Sequence, residues 1–324
     1  MSAAATVDWL AARGIAVESV VALPGDLSPR RYLRARRASG ESLLVALYPA
    51  AMADAQRRFE RAAALLASAG VRVPAILVND LEEGRMAIED LGERTVFELS
   101  GGGWSLLEPY FRDTVEQLRR IAGLDRTAVS ALDSPPLDAE LLDRELDPTF
   151  AHLFDPAGLA ARPVERERWR GALRQLCGRL AADPLVPCHR AFMARNLVAL
   201  PGGRVGVIDF QDLRLGPPAY DLASLLNDSL FPGRGLEATL LAEGLAAGLA
   251  PEQYARAVVQ RCLKAAGTFA RFAAQGRAER LELVPATLAR ARPFLARLPE
   301  TAAAFAGVRK WWDERWPPEA ALLD

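Results

Sequence analysis

Apolar residues fall in short, alternating runs over roughly the first ninety positions and at helical spacing beyond them. The opening MSAAATVDWLAARG carries the acid Asp8 and no basic stretch ahead of an apolar one, so it reads as an amphipathic helix over 5–14, not a leader. Val20-Val21-Ala22-Leu23, Tyr32–Arg36 and Leu43–Tyr48 are separated by Gly25, Asp26, Ser28 and the turn Ala38-Ser39-Gly40-Glu41. That punctuation predicts a strand, a small loop and a hairpin. Phe59, Ala62, Ala63, Leu65 and Leu66 keep a helical period over 53–69 that Gly70 closes, and Pro74–Val78 and Arg85–Glu89 predict two more strands.

From about residue 92 helices dominate. They are expected near 104–123, 137–153, 164–182, 219–228, 236–247, 251–276, 280–297 and 299–314. Strand-like pieces at 197–200 and 205–209 flank Pro201-Gly202-Gly203-Arg204, a good hairpin turn. The pattern predicts an α+β chain with a small sheet-rich N-lobe at 1–91 and a larger, mainly helical C-lobe at 92–324.

Composition narrows the function classes. With 324 residues, 51% of them hydrophobic, the chain can bury two packed cores, which excludes disorder. Forty basic residues against 41 acidic ones create no field for nucleic acid or an anionic membrane. No stretch approaches the roughly 20 apolar residues of a membrane span, so a soluble, cytoplasmic protein is expected. Cys177, Cys188 and Cys262 form no CxxC and give no disulfide framework, and His152 and His189 lack zinc spacing. Lys264 and Lys310 are the only lysines, beside 38 arginines.

The chemistry concentrates in His189-Arg190-Ala191-Phe192-Met193-Ala194-Arg195-Asn196 and in Val207-Ile208-Asp209-Phe210-Gln211-Asp212. Phosphoryl transfer needs a magnesium ion held against phosphates and an acceptor hydroxyl placed in line. An Asn on a loop and an Asp just after a short strand supply hard oxygen ligands for one such ion. The kinase catalytic loop reads H-R-D-x-x-x-x-N, with a magnesium-binding Asp in a later D-F-G. His189, Arg190 and Asn196 fit the loop, and Asp209-Phe210 follows Asn196 by thirteen positions across the predicted hairpin. Asp221, in Gly216-Pro217-Pro218-Ala219-Tyr220-Asp221-Leu222, is placed to cap a helix or brace the loop.

These pieces resemble the aminoglycoside phosphotransferase/choline kinase-like branch of the protein-kinase-like fold. Within that branch the chain is similar to bacterial anomeric kinases of N-acetylmuramate and N-acetylglucosamine. The resemblance rests on Gly25–Tyr32, Ile88-Glu89-Asp90-Leu91-Gly92, the 189–196 loop, Ile208–Asp212, the Gly216–Leu222 turn and the late helix Gln260–Arg271. It implies a two-lobed kinase fold using ATP and Mg2+ on a small-molecule amino sugar. Ser28 would lie in a loop over the phosphates, Ile88, Glu89 and Leu91 at an adenine-reading hinge, and Asn196 and Asp209 on the metal. Asp212 and Glu145 would meet sugar hydroxyls, while Lys264 and Arg271 would meet the carboxylate of N-acetylmuramate.

Two positions depart from the pattern. The catalytic aspartate is replaced by Ala191, whose methyl group cannot accept a proton. Three explanations stand beside one another: an introduced substitution that traps a complex, a natural pseudokinase, or an activated acceptor that needs less help from a base. The strand lysine is also absent, since residues 43–48 read Leu-Leu-Val-Ala-Leu-Tyr. Arg31 or Arg34 is expected to supply that charge, with Glu60 as a partner and Arg195 within reach of a phosphate. The expected activity is therefore an impaired sugar 1-kinase. The alternatives are a nucleotide- or sugar-binding regulatory protein and a kinase of an aminoglycoside, choline or homoserine.

Overall fold

Alternating burial along the early strands shows how the smaller lobe is assembled. The computed structural model describes residues 3–24, 29–228, 230–245 and 249–317. Helix α1 (Ala3–Ala11) precedes β1 (Ser19–Ala22), β2 (Arg31–Arg36) and β3 (Ser42–Leu47); α2 (Ala53–Ser68) then leads to β4 (Ile76–Asp80) and β5 (Arg85–Glu89). The strands form one antiparallel sheet in the order β1-β2-β3-β5-β4. Leu33, Ala35, Leu43 and Val45 point to one face and pack beneath Trp9 and Leu10 of α1. Ala46, Met86 and Ile88 meet Phe59, Ala62 and Leu66 of α2 and join the main core. Gly70, at a φ of 75°, ends the α2 turn as its position after the apolar period predicts.

The larger lobe contains α3 (Trp104–Ala122), α4 (Arg126–Ser130), α5 (Ala139–Arg144), α6 (Asp147–Thr149), α7 (Pro163–Ala181) and α8 (Tyr220–Asn227). It is completed by α9 (Arg234–Leu245), α10 (Pro251–Ala274), α11 (Val284–Leu295) and α12 (Ala302–Arg315). Two small antiparallel ladders interrupt the helices: β6 (Val186–Cys188) with β9 (Arg214–Gly216), and β7 (Leu197–Leu200) with β8 (Arg204–Val207). Buried along most of its length, α10 packs against α6, α8 and α11. The molecule is thus a two-lobed α+β fold, and among the described residues no helix is long and apolar enough to cross a membrane.

Several expected boundaries move. The helix expected over 137–153 breaks into α5, α6 and a π-helical turn at Phe150–Phe154, because Pro148 has no N–H with which to continue α5. The first helix stops at Ala11, and the strand expected at 74–78 begins only at Ile76, after Pro74.

Candidate active site

The catalytic segment is pinned before any ligand arrives. His189 follows β6, is fully buried, and its Nε2 lies 3.0 Å from the Ile208 carbonyl, tying the loop to the residue before Asp209. The buried Asp221 carboxylate accepts the backbone N–H groups of His189 at 2.6 Å and Arg190 at 2.9 Å. Asp221 therefore braces the loop, and it makes no N-cap bond to α8. Burial pushes its carboxyl pKa up, against the opposing pull of His189 and these N–H donors.

Across the β7–β8 hairpin the two expected metal ligands meet. The Asn196 amide donates to the Ala191 carbonyl at 2.8 Å and reaches Asp209 Oδ2 at 3.4 Å. Gln211 Nε2 donates to Asp209 Oδ1 at 2.7 Å. Buried Phe210 stacks on Phe59 of α2 with ring centroids 4.6 Å apart, so the small lobe touches the residue that follows Asp209. An amide oxygen and a carboxylate suit Mg2+, which is commonly held by one or two carboxylates together with nucleotide phosphates. Among the described residues no three His, Cys, Asp or Glu side chains gather to hold a metal.

The cation nearest this pair is one that the sequence reading passed over. Arg30, with a side chain only 8% exposed, lies between the Tyr32 and Tyr48 rings at 5.8 and 5.6 Å, and its Nη2 is 3.9 Å from Asp209 Oδ1. Burial opposes its charge, but Tyr32, Tyr48 and Asp209 outweigh that and raise its pKa. Arg31 is exposed at the start of β2, and Arg34 is taken up by Asp90 at 2.7 Å and Glu93 at 3.0 Å. Glu60 is exposed and, among the described residues, makes no ion pair, contrary to the expected pairing. The signal for Arg30 was its spacing of two from Tyr32, which in extended chain puts the two side chains on one face and Arg31 on the other. Ser28 lies outside the described residues.

At the hinge, Ile88 is buried in the sheet, Glu89 pairs with Arg72, and the Glu89 N–H donates to the Ala75 carbonyl at 2.8 Å. Leu91 covers the bare backbone of Gly206. The segment after it is sewn to the hairpin: Val96 N–H donates to Leu197 O at 2.8 Å and Ala199 N–H to Arg94 O at 2.9 Å. Arg195 stacks its guanidinium on the Phe97 ring at 3.3 Å.

The expected acceptor residues divide. Glu145 is 8% exposed and accepts from Lys264 Nζ at 2.8 Å, Arg190 Nη2 at 2.8 Å and the Tyr220 hydroxyl at 3.2 Å. Burial works to raise its pKa, but Lys264 and Arg190 overcome this and hold it down to about 2. Burial and the charge of Arg261 pull the Lys264 ammonium down to about 7. Both side chains are therefore interior groups and not solvated helix-face charges. Asp212 is 42% exposed and held by Arg190 at 2.7 Å and Arg214 at 3.2 Å. Arg271 lies two turns beyond Lys264 on α10, over Phe272 at 5.3 Å.

Residues 19–257 match the phosphotransferase enzyme family. An N-acetylmuramate/N-acetylglucosamine kinase of Pseudomonas putida is 31% identical over 300 residues, covering 88% of this chain and 86% of that protein. A protein of the same name from Pseudomonas aeruginosa is 34% identical over 295 residues, covering 86% and 84%. Among solved structures, choline kinase LicA from Streptococcus pneumoniae aligns at a TM-score of 0.62 and 17% identity, covering 94% of this chain and 98% of its own. The ADP-bound aminoglycoside phosphotransferase APH(2'')-Ib aligns at 0.63 and 16%, covering 93% and 99%. These neighbours share the two-lobed protein-kinase-like fold, and with the family match spanning both lobes and the catalytic loop, the chain belongs to the phosphotransferase enzyme family.

Proposed function

We propose that the chain is built as an ATP- and Mg2+-dependent kinase for the anomeric hydroxyl of N-acetylmuramate or N-acetylglucosamine, with Ala191 standing at the position of the catalytic base. The observation that carries this reading is the approach of Asn196 to Asp209, at 3.4 Å across thirteen positions of sequence. The names of the relatives support the choice of acceptor.

In this reading residues 1–91 cover the nucleotide and supply the hinge, while 92–324 carry the catalytic loop and the acceptor site. Asn196 and Asp209 would hold the metal, which when bound screens the phosphate charge. Arg30, facing the same carboxylate, brings positive charge to the phosphate end where kinases use a strand lysine. With the Glu89 N–H committed to Ala75, backbone reading of adenine falls to Asp90 and Leu91, beside Ile88. Asp212, at the mouth of the charged cluster, orients sugar hydroxyls, and Glu145 positions Arg190 behind it.

Ala191 leaves the acceptor proton without a receiving group, and general-base catalysis contributes about 10²–10⁴-fold. The test is titration of the chain with ATP–Mg2+ and with each sugar, followed by a transfer assay of Ala191→Asp. Binding by both proteins and a gain of about 10²–10⁴-fold in turnover on Ala191→Asp are expected. Binding with no such gain favours the second reading, a nucleotide- and sugar-sensing regulatory protein, which Ala191 itself supports. Transfer by Ala191→Asp to choline, homoserine or an aminoglycoside, but to neither amino sugar, overturns the acceptor assignment.

A further inference from the structure

The hinge stretch Ile88-Glu89-Asp90-Leu91-Gly92 holds one acid whose side chain has so far had no task. Asp90 follows β5 directly, and its side chain is only 1% exposed. One carboxylate oxygen accepts from the Ser42 hydroxyl of β3 at 2.7 Å, and the other accepts the Gly92 N–H at 3.1 Å. Arg34 of β2 sets its Nε 2.7 Å from the first oxygen and donates from Nη2 to the second at 3.3 Å. The same Nη2 reaches the Gly92 carbonyl at 3.4 Å. A side chain that accepts the N–H two residues on closes an Asx turn, which fixes the residue in between, here Leu91.

The turn lies on the hairpin that carries the metal pair. Leu91 covers Gly206, and a Cβ on Gly92 would meet Val198 Cγ1 at 3.6 Å. Val198 is two residues from Asn196 and Gly206 three from Asp209, roughly 7 and 10 Å along their strands. A nucleotide whose phosphates meet Asn196 and Asp209 thus has its base beside the peptide that joins Asp90 to Leu91. Among the described residues neither the Asp90 carbonyl nor the Leu91 N–H of that peptide is hydrogen-bonded. The two groups point in opposite directions and suit different bases. A 6-aminopurine has an acceptor at ring position 1 and matches an N–H, whereas a 6-oxopurine has a donor there and matches a carbonyl. Turning this one peptide over would exchange the two preferences. The Asp90 carboxylate opposes that turn, because it ties the backbone at Gly92 to β2 and β3.

We propose that Asp90 is a positioning residue that keeps the Leu91 N–H toward the nucleobase and so makes the chain select a 6-aminopurine over a 6-oxopurine nucleotide. This rests on the ATP reading of the site and says how that base is chosen.

The experiment is calorimetric titration of the full chain, Asp90→Ala, Asp90→Asn and Ser42→Ala with the Mg2+ complexes of ADP and inosine diphosphate, with melting curves to verify folding. The parent is expected to prefer ADP by about tenfold or more, since the wrong base sets two donors against each other. In Asp90→Ala that ratio is expected to fall toward unity. Asp90→Asn, which keeps an oxygen for the Gly92 N–H, is expected to recover most of it. Ser42→Ala spares the ion pair with Arg34 and is expected to lower the ratio about two- to threefold. A ratio unchanged in Asp90→Ala and Ser42→Ala, or in Ser42→Ala alone should Asp90→Ala not fold, overturns the proposal even where both affinities drop together. That result leaves the nucleotide reading in place, as does a parent that binds inosine diphosphate as tightly as ADP, which also overturns the proposal. A parent that binds neither nucleotide overturns the nucleotide reading and the role of Asp90 together.

Discussion

Arg190 and Asp209 hold φ values of 75° and 62°, a region that side chains other than glycine seldom occupy. Both sit where surrounding bonds over-determine them: Asp221 grips the Arg190 N–H, while Asn196 and Gln211 hold the Asp209 carboxylate. Against this fixed frame Arg30 is the one small-lobe cation aimed at Asp209 among the described ion pairs. Arg30→Ala is expected to weaken ADP–Mg2+ binding about ten- to a hundredfold while leaving adenosine within about twofold, and Arg30→Lys to recover part of the loss. Equal losses for ADP and adenosine, measured by calorimetry, would show that Arg30 only fills space between Tyr32 and Tyr48. Asn196 and Asp209 were legible because their spacing is local to one hairpin. Arg30 was not, since the choice among Arg30, Arg31 and Arg34 depends on which way β2 turns each side chain.

Among the elements, α2 and the β7–β8 hairpin couple the lobes. Phe59 lies on the apolar stripe of α2, and its ring meets Phe210 just past the hairpin. Phe59→Ala is expected to cost about 3–5 kcal/mol in denaturant unfolding, with Phe59→Leu costing less. A loss below about 1 kcal/mol would remove this ring pair as a coupling between the lobes. The stripe of α2 was readable because Phe59, Ala62, Ala63 and Leu66 keep helical spacing over about two turns. The β6–β9 ladder was not: Val186-Pro187-Cys188 is three residues long, contains a proline, and finds its partner 28 positions later.

Across the whole molecule, one buried charge cluster joins the end of α5, the catalytic loop, α8 and α10. Glu145 draws donors from Arg190, Tyr220 and Lys264, up to 119 positions away, a separation no local pattern announces. Breaking such a buried arrangement costs about 3–5 kcal/mol, so Glu145→Gln is expected to be less stable than the parent by that order at pH 7. Below about pH 4.5 the unfolded chain takes up a proton at this position, whereas the folded chain does so only near 2. The stability that Glu145 contributes is thus complete above 4.5 and lost as pH falls toward 2, and the gap to Glu145→Gln narrows over that interval. Denaturation curves at pH 7, 4 and 3 measure it, and a constant gap would show that packing rather than charge sets the difference.

All three thiols, at Cys177, Cys188 and Cys262, are sealed inside the protein, with burial pushing each away from its reactive, ionised form. While the chain stays folded, thiol-directed alkylating reagents find no cysteine to attack, even at the residue that adjoins His189. Thiol–disulfide exchange in the surroundings passes these three side chains by.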